Sequence, residues 1–365
     1  MNTNNFCIIM AGGTGSRFWP MCDNDHAKQF LDLMGTGETM LQSTFRHYCQ
    51  VCERDNVIIV TTEPMVSTVR AQIPNLKDYQ VLAEPQRRNT APCIAYAASI
   101  IDDINTHANV IVSPSDHAIF DEEAFVRNIN EAVDAADSHD WIITIGARPV
   151  NPNTKYGYLQ FAQESAATDA PNLHKVVTFT EKPPADMAAR FIASGEFLWN
   201  TGIFVWSLKT LKAAYSTFLP AMAKAYGSLH IDSPREEVRR VYAATDPISA
   251  DYGVMEKAQN VFVMKANFGW SDVETWDSLY NVLNKDDDKN AVASGRAIFY
   301  DSKNLLVHVS PDKMAVLCGL NDYLVTEANG ILLVCPRKDE DKLIKYASDV
   351  ALHSLATSKE MQRNG

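Results

Sequence analysis

The sequence predicts an α/β fold: a mostly parallel sheet with flanking helices, followed by a small β-rich domain. Three observations predict it. Short apolar runs alternate with helical patterns through the first 150 residues, the cadence of βαβ units. A glycine-rich turn follows the first of those runs, at Gly12-Gly13, where a buried strand would hand over to the next element. Beyond a charged break near residue 284, short β-like pieces separated by Asp, Asn and Gly replace the alternation.

In chain order, a buried strand is expected at 6–10, ending in Ala11-Gly12-Gly13-Thr14-Gly15-Ser16-Arg17. Further strands fall at 57–60, 80–83, 110–113 and 141–146, and helices at 40–52, 65–73, 90–104 and 122–136. Past Val150 the pattern loosens. A polar stretch lies at 163–172, strands at 158–161 and 175–179, and helical segments at 208–225 and 235–244, so this is an elaborated half of the same domain. The run 284–290 is charged and lacks apolar anchors, and it reads as a linker between a 1–283 domain and a 291–365 domain. The pieces 297–300, 305–309, 314–317, 323–327 and 331–335 suit a small β-roll or short β-helix, closed by a helix over 338–355.

Composition narrows the function. With 365 residues, 46% apolar and 21% charged, the chain has the balance of a globular protein with an ample core. A net charge of −12 disfavours nucleic acid, whose phosphates need Lys and Arg, so any phosphorylated ligand must meet locally concentrated cations. The seven cysteines are scattered, with no leader pattern ahead of them, which points to the reducing cytoplasm and not to a disulfide framework. The apolar run 94–101 falls short of the ~20 residues of a membrane helix, and no membrane association is expected.

A glycine turn after a strand lets backbone N–H groups converge on an anion, and Arg17 and Lys28 supply positive charge nearby in sequence. The spacing is neither the Gly-Lys-Ser/Thr phosphate loop nor the dinucleotide pattern, and taken alone these residues equally form an ordinary tight turn. Cys49 and Cys52, with His47 beside them, have no second pair at zinc spacing and read as buried structural thiols.

The run Gly12-Gly13-Thr14-Gly15-Ser16-Arg17-Phe18-Trp19-Pro20, with Lys28-Gln29-Phe30 after it, resembles the signature of sugar-phosphate nucleotidyltransferases, in their mannose-1-phosphate guanylyltransferase branch. Glu84-Pro85-Gln86-Arg87-Arg88-Asn89-Thr90-Ala91-Pro92 is similar to that branch's nucleotide-recognition segment, and Pro114-Ser115-Asp116-His117 to its metal-binding loop. Tyr156-Gly157-Tyr158, Glu181-Lys182-Pro183, Trp199-Asn200-Thr201-Gly202 and the stretch Phe268 to Trp276 follow in family order. The resemblance implies a Rossmann-like domain with a small β-helical one behind it.

It also implies an Mg²⁺-dependent enzyme joining GTP to mannose 1-phosphate, with GDP-mannose and pyrophosphate as products. The same chemistry on a heptose or glucose 1-phosphate, or with another nucleotide, is the nearest alternative, and a non-catalytic sugar-nucleotide-binding subunit a more distant one. The nucleophile of such a reaction is already an anion, so the reaction asks for positioning and cations, not for a triad or strong base.

The roles the resemblance carries over are these. Arg17 and Lys28 grip the triphosphate, with Gly12, Gly13, Thr14, Gly15 and Ser16 around it and Glu84, Arg88, Asn89, Thr90 and Ser115 at the nucleotide. Gly157, Glu181, Lys182 and Asn200 form the sugar-phosphate pocket, and Asp116 and Asp272 bind metal. Taken by themselves, Asp116 and Asp272 also suit helix N-caps, as do Asn89 and Thr90, and Trp199 suits the core. Exposed β edges in 297–335 suggest a homodimer. No length remains for a fused isomerase domain, and no such activity is expected.

Overall fold

Strand β1 (Asn5–Met10) is buried along nearly its whole length, as its unbroken apolar run anticipates for a central parallel strand. The structure is a computed structural model that describes residues 3–13, 16–22, 27–167 and 170–363. The chain divides into two units, Met1–Gly12 with Ser43–Trp270, and Gly13–Gln42 with Ser271–Gly365.

In the first unit β1 pairs in parallel with β2 (Val57–Thr62) and β4 (Asn109–Pro114), and β2 with β3 (Val81–Glu84). A short β5 (His117–Ile119) follows β4. The sheet continues through β6 (Ile142–Ala147), β7 (Gly157–Ala167), β8 (Ala170–Glu181), β9 (Phe197–Ser207) and β10 (Val261–Lys265) in the order β3-β2-β1-β4-β9-β6-β10-β8-β7. Only β8 and β9 run against the common direction, so the expected mostly parallel sheet is present. Neither β9 nor β10 is marked in the sequence. Both are buried on most positions, so the apolar–polar alternation that betrays a half-buried strand is missing.

One face of the sheet carries the main core. Helix α3 (Thr90–Ile104) is apolar nearly all round, and it packs with α6 (Leu208–Phe218), α7 (Pro220–Tyr226) and α8 (Arg235–Ala243) around Phe6, Ile8, Trp206 and Tyr242. Helix α4 (Glu122–Ser138) lies against β4, β6 and β9.

The second unit is a parallel β-coil, in line with the expected β-roll. Strands β12 (Ala291–Ser294), β14 (Leu306–His308) and β16 (Tyr323–Ala328) stack in parallel, β17 (Ile331–Pro336) closes that sheet antiparallel, and β13 (Arg296–Tyr300) pairs in parallel with β15 (Met314–Cys318). Leu305, Val307, Val309 and Val325 fill the coil. Asp301, Asn304 and Asp322 take positive φ at its corners, the conformation for which Asn and Asp are the usual non-glycine choices.

The unit boundary after Trp270 lies ahead of the expected linker 284–290. Between them runs α9 (Trp276–Val282), whose Trp276 meets Phe18 and His308 edge-on within the second unit. In the charged stretch itself Asn290 is buried, donating to Asp286 Oδ2 and Ser302 O and accepting from Leu305 N. The C-terminal helix α10 (Leu343–Arg363) follows β17. Among the described residues no helix is long and apolar enough to cross a membrane.

Candidate active site

The turn after β1 is anchored by Ala11 N–H, which donates to Val60 O, and by Thr61 Oγ1, which donates to Ala11 O at 2.8 Å. A Cβ added at Gly12 would stand 3.3 Å from Glu84 Oε2, so the glycine lets the backbone run close past that carboxylate. Glu84 ends β3 and is buried, and Tyr242 on α8 donates its hydroxyl to Glu84 Oε1 at 3.1 Å. Burial pushes the carboxyl up to about 7, against the opposing pull of the Tyr242 hydrogen bond and the Arg87 charge. Thr14, Gly15 and the side chain of Ser16 lie outside the described residues.

The neighbouring turn residues have structural work of their own. Asn89 takes φ +70° and caps α3, its Oδ1 accepting from Thr90 N at 2.8 Å. Thr90 Oγ1 accepts from Ala250 N, and Arg88 Nε donates to Tyr242 O. Their caps and braces hold the C-terminal end of β3 and the start of α3 in place, whatever else they bind.

The four residues expected at the sugar phosphate meet in the first unit. Gly157 and Glu181 are register partners across β7 and β8. A Cβ at Gly157 would sit 2.6 Å from Glu181 Oε2 and 3.4 Å from Asn200 Cβ, so any larger residue would displace the carboxylate. Lys182 Nζ pairs with Glu181 Oε1 at 3.3 Å, on an exposed side chain whose backbone takes φ +47°. Asn200 lies on β9 opposite Gly146, and its Oδ1 accepts from Thr144 Oγ1 at 3.1 Å and Gly202 N at 3.2 Å. Trp199 is buried with Tyr158 and Ala188 and belongs to the core.

In the second unit the two cations are each held by a carboxylate. Lys28 is buried, its Nζ donating to Val273 O at 2.9 Å and pairing with Asp272 Oδ1 at 3.4 Å. Arg17 pairs with Glu274 at 3.1 Å, both side chains substantially exposed. Gln29 Nε2 donates to Gly13 O. The N-cap of α9 is Thr275, whose side chain accepts from Ser278 N, so Asp272, at the end of the short β11 (Trp270–Asp272), is not that cap.

In the first unit, α4 is capped by Asp121, and Asp116 is likewise not a cap. Asp116 stands between β4 and β5, at the carboxyl end of a parallel strand, where ligands of open α/β sheets gather. Ser115 beside it is buried, its N–H donating to Met10 O and its C=O accepting from Thr44 Oγ1. Burial raises the Cys49 and Cys52 thiols, which keeps both from the reactive thiolate form.

Three residues here were not singled out by sequence: Tyr242, Glu274 and Asp251. Asp251 opens a wide π-turn, Asp251–Met255, and its Oδ1 accepts from Asn200 Nδ2 at 2.8 Å. Burial, and then the nearby Glu181 charge, push its carboxyl up to about 6. No local pattern announces it, because its partner lies 51 residues away.

With a parallel-stranded sheet, a glycine turn after β1 and a buried carboxylate at the end of β3, the first unit is an α/β fold. The family model described as nucleotidyl transferase matches residues 6–289, and the chain belongs to that family of enzymes. It is similar to the xanthan biosynthesis protein XanB of Xanthomonas campestris pv. campestris (strain B100), 33% identical over 94% of this chain and 72% of the relative. A mannose-1-phosphate guanylyltransferase of Salmonella montevideo is 32% identical over 98% of this chain and 76% of the relative. Among solved structures, mannose-1-phosphate geranyltransferase from Thermus thermophilus superposes with a TM-score of 0.85 at 26% identity, covering 95% of this chain and 99% of that one.

Proposed function

We propose that the enzyme transfers a guanylyl group from GTP to mannose 1-phosphate, giving GDP-mannose and pyrophosphate. A phosphate oxygen of the sugar phosphate attacks the α-phosphorus in line. The new P–O bond forms as the bond from the α-phosphorus to the bridging oxygen breaks, and the electron pair leaves on pyrophosphate. The observation that carries this reading is the meeting of Gly157, Glu181, Lys182 and Asn200. That meeting sets a carboxylate for hydroxyls beside an ammonium for a phosphate. The relatives named for mannose 1-phosphate supply the choice of sugar.

Guanine is favoured by Glu84. A carboxylate accepts both the ring N–H and the exocyclic amino group that guanine presents side by side, a pair no other common base offers. Its place beside Gly12 puts it next to the turn that would receive phosphates. Lys28 and Arg17 are the cations for the triphosphate, and each is already matched to a carboxylate that an incoming phosphate can replace. Enzymes of this family use a divalent metal. Asp116 and Asp272 are hard oxygen donors of the kind Mg²⁺ takes, and bound Mg²⁺ would screen phosphate charge.

The test is a panel of nucleoside triphosphates against sugar 1-phosphates, read as pyrophosphate release. GTP with mannose 1-phosphate is expected to be the best pair and to need Mg²⁺, with Asp116→Asn and Asp272→Asn each slowing it. Release with another sugar and none with mannose would overturn the substrate, and no release with any pair would overturn the activity.

A second reading, assembly as a homodimer, is supported by the outer face of β13 and β15. Ile298 lies beside Val316 there, 42% and 62% exposed, on an apolar surface that a second copy would cover. Light scattering is expected to give a dimer that Val316→Lys dissociates, and a monomeric parent would remove this reading.

A further inference from the structure

The segment Ile248–Asp251 touches both halves of the proposed reaction within the first unit. Its start is stitched to the nucleotide turn: Ile248 N donates to Arg88 O, Ala91 N donates to Ile248 O, and Ala250 N donates to Thr90 Oγ1. Its end is Asp251, which accepts from Asn200 Nδ2 at 2.8 Å. There the backbone opens into a π-turn, Glu256 N donating to Asp251 O. Turns of this kind are rare and gather at functional sites.

The bonding of Asn200 shows what Asp251 does. A primary amide has one acceptor oxygen and two N–H donors. Asn200 Oδ1 is taken by Thr144 Oγ1 and Gly202 N, and Asp251 takes one N–H from the other end. A carboxylate can only accept and a backbone N–H can only donate, so the two together forbid the flipped amide. One N–H of Asn200 is left for a ligand, on a side chain whose Cβ borders Gly157 and therefore Glu181.

We propose that Asp251 is a positioning residue for the sugar 1-phosphate, fixing the Asn200 amide so that its remaining N–H meets a sugar hydroxyl or phosphate oxygen. This rests on the sugar-pocket reading above. Asp251 touches neither reactant and acts through Asn200. Its contribution therefore falls on sugar-phosphate binding and alignment, and nucleotide binding is left as it is.

The variants are Asp251→Ala, Asp251→Leu and Asp251→Asn, assayed with whichever sugar 1-phosphate the wild type turns over best. Asp251→Leu keeps roughly the bulk without an acceptor and guards against an alanine variant that does not fold. Asp251→Asn keeps an acceptor oxygen for Asn200. For alanine and leucine the KM for sugar 1-phosphate is expected to rise about tenfold, the scale of one lost charge-assisted hydrogen bond. Nucleotide affinity, titrated without the sugar, is expected to stay within about twofold, and asparagine to recover most of the loss. An unchanged sugar-phosphate KM in the leucine variant, an equal loss of nucleotide affinity, or an asparagine variant as poor as leucine would each overturn the inference while the proposed activity stands. A wild type that turns over no sugar 1-phosphate would overturn both.

Discussion

The two units hold charge in opposite ways. In the first, the groups expected to read the ligands include crowded carboxylates: the buried Glu84 against Gly12, and the partly buried Glu181 against Gly157. In the second, the groups expected to grip phosphate are cations already neutralised, Lys28 by Asp272 and Arg17 by Glu274. Glycine backbone runs close to two acids of the first unit, Glu84 and Glu181. On the proposed function, the cations of the second stay paired until a phosphate replaces the carboxylates. An acidic chain can thus carry a phosphate site without displaying free positive charge. The exposed Arg17–Glu274 pair is worth at most ~1 kcal/mol and yields easily, whereas buried Lys28 is also fixed by Val273 O and stays aimed.

The sharpest way to break this contrast is Lys28→Met, which removes a buried cation of the second unit. A positioned charge at a developing phosphate anion contributes about 100- to 1,000-fold, and kcat/KM for pyrophosphate release should fall by that order. The loss should appear for every nucleotide in the panel, since the cation reads charge and not the base. Turnover within threefold of wild type would mean that Lys28 serves the fold through Val273 and Asp272 and has no part in the chemistry.

A smaller and more selective effect is expected from Gly157→Ala. The added methyl would lie 2.6 Å from Glu181 Oε2, the far end of a flexible side chain, and 3.2 Å from Phe179 Cζ. The fold can yield there cheaply, so melting should change by no more than a few degrees. The carboxylate cannot yield without leaving its place, and the KM for the sugar phosphate should rise by roughly ten- to a hundredfold while that for GTP holds. Equal changes in both would show that the first unit's two subsites are not independent.

The parts of this arrangement that were legible in sequence are the parts with local grammar. The run 6–10 into Gly12-Gly13 announces a strand and turn, and the Asp, Asn and Gly corners announce the β-coil. Motif resemblance brings Gly157, Glu181, Lys182 and Asn200 into one expectation although they are spread over 44 positions. What stayed hidden depends on distance along the chain. Residues 13–42 join 271–365 in one unit, and no composition shift marks that. Tyr242 reaches Glu84 across 158 residues, and Asp251 sits on a turn whose widened hydrogen bonding has no propensity signature. Buried β9 carries Asn200 with none of the alternation of a half-exposed strand.

The finest discrimination should come from Glu84 and Tyr242. Glu84 must be ionised to accept two N–H groups from guanine, and its carboxyl is pushed up to about 7 by burial. As pH falls through 7 it gains a proton and one acceptor is lost, so preference for GTP should decline on the acid side. ITP is the control, since it carries the same triphosphate and lacks only the amino group. The ratio of its KM to that of GTP should exceed about tenfold at pH 8 and collapse towards one by pH 6, whereas Glu84→Gln should be unselective at both. Stability follows the same proton with the opposite sense. The folded state binds it at higher pH than the unfolded chain does, so Glu84 costs stability above 7 and ceases to do so as pH falls into the ordinary carboxylate range. Melting of Glu84→Gln should accordingly depend less on pH over that window. Tyr242→Phe gives the smallest change. It removes the hydroxyl that holds the carboxyl down, so the loss of GTP preference should begin at a higher pH than in the wild type. A shift to lower pH, or none, would mean that the Tyr242 hydroxyl does not stabilise the ionised carboxylate that this reading gives to guanine.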